Sequence, residues 1–172
     1  MNYSKDKGAK AYKTFEASLR RIINRKGMKQ KDSRLNRTTM SLPGHFGILK
    51  HPDVLPWLQS QQLLDKYSDD LSRMTPSLNI AISNAKEDKN SRRLMVLNDQ
   101  DFNEIYPCFI GTQFVYTHRK EFDMYVYQRS SDLAKLQDDC IFFSKLALLF
   151  QKKVGKKVTK IVIIFGHIHY EM

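Results

Sequence analysis

Cys108 is the side chain in this sequence best suited to attack a substrate, and the groups that could help it close the same stretch. That stretch runs from Pro107 to Asp132: a thiol opens it, and Arg129, Ser130 and Asp132 end it. A thiolate is a strong nucleophile, and a neighbouring guanidinium favours its ionisation. The guanidinium fork and the serine hydroxyl also match phosphate oxygens. A thiol, a cation, a hydroxyl and a carboxylate are the parts of a nucleophilic site that holds a phosphorylated ligand. Taken alone, a free cysteine is more often a buried apolar residue. The assignment therefore depends on its surroundings.

Other groups with chemistry lie on either side. Ser91-Arg92-Arg93 adds two cations upstream. Asp138 and Asp139 precede an apolar helical pattern, where they either cap the helix and favour its dipole or face a ligand. Gly166-His167-Ile168-His169-Tyr170 follows a β-branched run. Two histidines at alternate positions can share a metal, but the sequence offers no third ligand beside them, so no metal is expected.

Together these residues resemble the thymidylate synthase family, which includes the deoxycytidylate hydroxymethylases. The resemblance rests on Pro107-Cys108, Gln113-Phe114 and Tyr127-Gln128-Arg129-Ser130-x-Asp132, with Ser91-Arg92-Arg93 before them and the glycine-histidine-tyrosine element after, one residue short. It spans residues 91 to 170, about half the chain. It implies that Cys108 adds to carbon-6 of a pyrimidine ring and activates carbon-5. It further implies that methylene-tetrahydrofolate supplies the one-carbon unit. Arg92, Arg93, Arg129 and Ser130 would cradle the phosphate of a pyrimidine nucleoside monophosphate. The two upstream arginines would come from the partner subunit of a homodimer with shared sites. Gln113 and Asp132 would contact the substrate, and His169 with Tyr170 would bind the sugar, with His167 competing for that role. Where thymidylate synthases read the base with asparagine, this chain offers Asp138 or Asp139. The helix pattern favours Asp139, and a carboxylate suits cytosine.

The sequence also departs from the family. Asp53-Val54-Leu55-Pro56 precedes Trp57 where a glutamate is usual, and Phe109 replaces a histidine. A glycine-proline turn after Asp132 is missing, and the chain ends soon after Tyr170, which reads as a shortened core. Arg34 or Arg37 would stand for the family's mobile arginine. No residue is assigned to folate. A degenerate member that binds nucleotide or nucleic acid without turnover is the second reading, and the net charge of +11 supports it.

The elements that must position these groups can be read from periodicity. Residues 1–38 hold 12 of the 29 basic residues, and Phe15, Leu19, Ile22 and Ile23 predict an amphipathic helix over Ala11–Arg25 ended by Gly27. Residues 40–57 carry Pro43-Gly44, Gly47, Pro52 and Pro56 and read as loop. Helical tendency follows over Leu58–Met74, and a charged loop over Asn84–Ser91. Strands are predicted at Leu94–Leu97, Thr112–His118, Phe122–Gln128 and Val158–Phe165, with a helix over Asp139–Gln151. Residues 1–38 would form a basic helix and loop belonging to the domain, and 39–172 its core. The order predicts one α+β domain, a sheet packed with helices. Two cysteines make a disulfide framework unexpected and point to a reducing cytoplasm. No apolar run has transmembrane length, so no membrane partner is expected.

Overall fold

The structure, a computed structural model, describes residues 3–32, 37–50, 52–65, 67, 71–72, 74–91, 94–97 and 108–172. Helix α1 (Tyr3–Lys26) starts earlier than its apolar stripe requires. Tyr12, Leu19 and Ile23 are buried and Phe15 and Ile22 pack against the core, while Lys10, Lys13, Arg20, Arg21 and Arg25 stay exposed. The stripe recurs every three or four residues, so one face of the helix is apolar and the other is solvated. Gly27 ends α1, its N–H donating to the Ile23 carbonyl at 2.7 Å.

The expected loop over 40–57 is corrected by the structure. Strand β1 (Met28–Asp32) pairs antiparallel with β2 (Arg37–Leu49), which carries Pro43-Gly44 and Gly47 inside it. Proline survives there because β1 reaches only as far as Ser41, so the missing N–H falls on an open edge. Gly47 is required by close approach: a Cβ would stand 2.8 Å from the Phe15 ring. Helix α2 (Val54–Ser60) then takes in Pro56 and Trp57; proline is tolerated in a first turn, where its missing N–H has no helical partner to lose.

Helix α3 (Thr75–Glu87) covers ground that the sequence reading gave partly to a loop. Its buried residues Leu78, Ala81, Ile82 and Ala85 keep helical spacing through Ala85, so the helix continues past Asn84 and stops at Asp88. Beyond it lie β3 (Met95–Leu97), β4 (Phe109–Tyr116), β5 (Phe122–Asp132), α4 (Leu136–Val154) and β6 (Val158–Glu171). The predicted hairpin is present: β4 and β5 pair antiparallel across a turn in which Lys120 takes a positive φ.

The sheet order is β1-β2-β6-β5-β4-β3, and only β5 and β6 are parallel, joined through α4. The helices lie on one face. There Phe150 of α4 stacks on Phe114 at 3.7 Å between ring centroids and meets Phe122 edge-on at 5.1 Å. This is the α+β arrangement the sequence predicts. On the opposite face Phe46, Ile48, Met95, Leu97, Val115 and Ile164 are exposed. No helix is long and apolar enough to cross a membrane among the described residues.

Candidate active site

Parallel pairing brings the carboxyl ends of β5 and β6 side by side, and Cys108, Arg129, Ser130, Asp132, His167 and His169 lie at that end. Ligands commonly bind outside such strand ends. Ser130 pairs with His167 and Asp132 with His169 across the two strands. Cys108 is exposed just before β4, and its carbonyl accepts the Arg129 N–H at 2.6 Å. That bond fixes the thiol-bearing residue beside the guanidinium-bearing one. Phe109 anchors the same turn, its ring lying 5.4–5.7 Å from Phe142 and Phe143. The β4–β5 register shifts between Phe109 and Gly111, so the chain turns out of the ladder where the thiol must be presented.

The two parallel strands change face at this level. In β6 the most deeply buried residues are Ile161, Ile163 and Phe165, then Ile168. In β5 they are Phe122, Met124, Val126 and Gln128, then Ser131. The in-out alternation of each slips by one residue, beside Gly44 of β2, whose φ is +61°. Gly166 lies at the slip, where a Cβ would stand 2.6 Å from the Arg129 carbonyl oxygen. Only a residue without a side chain lets β6 come this close to the Arg129 backbone.

Asp139 lies in the first turn of α4, whose N-cap is Lys135. Its carboxylate is turned towards β5, not left on the helix surface. Oδ1 accepts the Tyr67 hydroxyl at 2.6 Å, and Oδ2 accepts Gln128 Nε2 at 2.7 Å and the Ser131 hydroxyl at 3.4 Å. Gln128 is buried, and its Oε1 has no hydrogen-bond partner among the described residues. The sequence reading passed over Tyr67, Gln128 and Ser131 as site residues. The available signal was Gln128, a polar side chain in the inward register of Phe122, Met124 and Val126.

The two histidines each meet a serine. His167 Nδ1 lies 3.0 Å from the Ser41 hydroxyl of β2, and His169 Nδ1 lies 3.5 Å from that of Ser130. Tyr170 turns to α1 instead, where its hydroxyl donates to Asn24 Oδ1 and the Arg20 guanidinium sits 4.8 Å over its ring. Asp132 accepts the Ala134 N–H at 3.0 Å and so shapes the β5–α4 turn. Gln113 stands mid-strand on β4, on the face opposite buried Thr112 and Phe114 and away from the Cys108 end. Arg92, Arg93, Arg34 and Pro107 lie outside the described residues. Arg37 pairs with Glu171 at 3.5 Å. No cluster of three metal-ligating groups exists among the described residues.

Trp57 is half-buried and tilted against Tyr12, with ring centroids 5.6 Å apart. Its Cβ would lie 2.3 Å from a Cβ placed on Gly8, so the residue is wedged against α1.

A family model described as thymidylate synthase matches residues 57–171, about two thirds of the chain. The match begins within α2 and takes in α3, α4 and β3 to β6; α1, β1 and β2 precede it. A search of curated proteins found no match.

Proposed function

Because the chain belongs to the thymidylate synthase family, we propose that it transfers a one-carbon unit to carbon-5 of a pyrimidine nucleoside monophosphate, leaning towards hydroxymethylation of cytidylate. The observation that carries this reading is the backbone hydrogen bond from Arg129 to Cys108, a residue with an exposed thiol, near the carboxyl ends of two parallel strands. Cys108 as thiolate would form a bond to carbon-6. The electron pair of the 5,6 double bond then moves to carbon-5 and the ring carbonyl or imine, making carbon-5 the nucleophile. Arg129 and Ser130 would hold the phosphate, with Arg92 and Arg93 reaching from a partner subunit. His167 and His169, each beside a serine, would hold the sugar.

The lean towards cytidylate rests on Asp139. Three protein donors already converge on its carboxylate, which can accept about four hydrogen bonds. A carboxylate here accepts from the exocyclic amine of cytosine and leaves a uracil carbonyl without a donor. Methylene-tetrahydrofolate is the one-carbon source the family implies, and no residue of this chain is assigned to it. The exposed apolar sheet face supports the homodimer, since a surface of this kind is a common subunit interface.

Substitution at carbon-5 requires loss of its hydrogen. Purified protein should therefore release tritium from carbon-5-labelled dCMP faster than from dUMP when methylene-tetrahydrofolate is present. Absence of release from either substrate, together with measurable nucleotide binding, would replace the enzyme reading with that of a nucleotide-binding member. Mixing inactive Arg92→Ala and Cys108→Ala proteins tests the shared site: heterodimers that form without regaining activity would exclude it.

A further inference from the structure

A second binding feature lies away from Cys108, between α1 and the outer edge of β2. β1 pairs with β2 only from Arg37 to Ser41. From Pro43 to Leu49, β2 is bonded on one side to β6, and among the described residues no strand pairs with its other side. A groove of about 890 Å³ runs along this open edge. Phe15, Leu19 and Ile22 of α1 line it on one side and β2 from His45 to Leu49 on the other, with Lys7, Lys10 and Lys50 also among the lining residues. Asp53 is the single acid among the lining residues.

An open strand edge offers main-chain donors and acceptors at the spacing of an incoming strand. Peptides that add to such edges draw affinity from those bonds and specificity from pockets for alternate side chains. We propose that this groove binds an extended, acidic segment of a partner protein, which adds to β2 as an extra strand. Alternate apolar residues of the segment would pack on the α1 stripe, and its carboxylates would meet the lining lysines. Pro43 sets the limit of the added ladder, because it has no N–H to give. Charge selects the occupant: three lysines against the single acid Asp53 make the groove basic, and an acidic strand is attracted to it.

The test uses a fluorescein-labelled, acetylated octapeptide alternating Glu and Val, followed by fluorescence anisotropy with the full chain. Saturable binding that weakens with salt is expected, and the Lys-for-Glu peptide should not bind. N-methylating alternate amides removes the donors of one edge and should weaken binding by about tenfold or more. Ser18→Trp, at an exposed lining position of α1, should fill the groove and abolish binding while leaving the circular dichroism spectrum unchanged. Lys10→Glu with Lys50→Glu serves as an independent variant at exposed positions and should weaken the acidic peptide about tenfold. The proposal fails if the native protein does not bind the peptide. It also fails if the N-methylated peptide binds equally well, which would make the groove a site for apolar anions, or if peptide is displaced as protein concentration rises, which would give the groove to a second copy.

Discussion

Asp139→Asn changes one oxygen to an amide of the same shape and tests what the carboxylate does. In the native network Oδ1 takes the Tyr67 hydroxyl and Oδ2 takes Gln128 Nε2, both at 2.6–2.7 Å. An asparagine keeps one acceptor, which can stay on Tyr67. Its amide group then faces Gln128 Nε2, donor against donor. Gln128 can relieve this by turning its amide over, because its Oε1 has no partner to lose among the described residues. Two charge-assisted bonds thus become two neutral ones. The former are worth about 1.5–3 kcal/mol each and the latter about 0.5–1.5, so the change costs roughly 2 kcal/mol. In a domain of this size that lowers Tm by about 4–8 °C. Differential scanning calorimetry of the unliganded protein measures it. In the liganded protein the same substitution should move the ratio of kcat/KM from dCMP towards dUMP by about ten- to hundred-fold, which is the worth of one mismatched buried polar contact. A Tm within about 1 °C of native would refute the network as drawn. A lowered Tm with an unchanged dCMP-to-dUMP ratio would make Asp139 a structural brace and remove the lean towards cytidylate.

Three further outcomes follow from the packing. Cys108 is exposed whereas Cys140 is buried and its thiol pushed well up by desolvation, so iodoacetamide should modify Cys108 first; nucleotide should slow that reaction, and lack of protection would separate the thiol from the binding site. The Tyr12 hydroxyl is buried without a partner among the described residues, so Tyr12→Phe should raise stability in urea by about 1–2 kcal/mol, and a loss of stability would reveal a partner for it. His45 has its pKa lowered by burial and then by Lys26, so the fold favours the neutral ring; stability should fall as pH drops from about 6.5 through the lower folded value, and His45→Gln should flatten that part of the profile.

Sequence periodicity made most of the sheet legible because each strand from β3 to β6 carries its own buried pattern. Gln128 shows how a site can be read the same way, since a polar residue in an inward register must bond to something. β2 was not legible, because Pro43, Gly44 and Gly47 mark a loop in any local reading. Their tolerance comes from outside the segment: an edge uncovered by β1, and the Phe15 ring on Gly47. The turn of Tyr170 towards Asn24 and Arg20 likewise depends on where α1 packs. Such tertiary facts leave no trace in spacing along the chain.

The strand order also carries a timetable. β6 sits between β2 and β5, yet it is the last of the six to leave the ribosome. Until then the nascent chain holds two unconnected pieces, the β1–β2 hairpin and the strands β3 to β5. At about 5–20 residues per second, the interval between finishing Asp132 and finishing Glu171 lasts roughly 2–8 s. During it the inner edges of both β2 and β5 are bare. A chaperone that shields exposed strands would have its greatest effect in that window. A stop codon within β6 should yield an aggregating product, not a smaller folded one, because the missing strand is the seam between the two pieces.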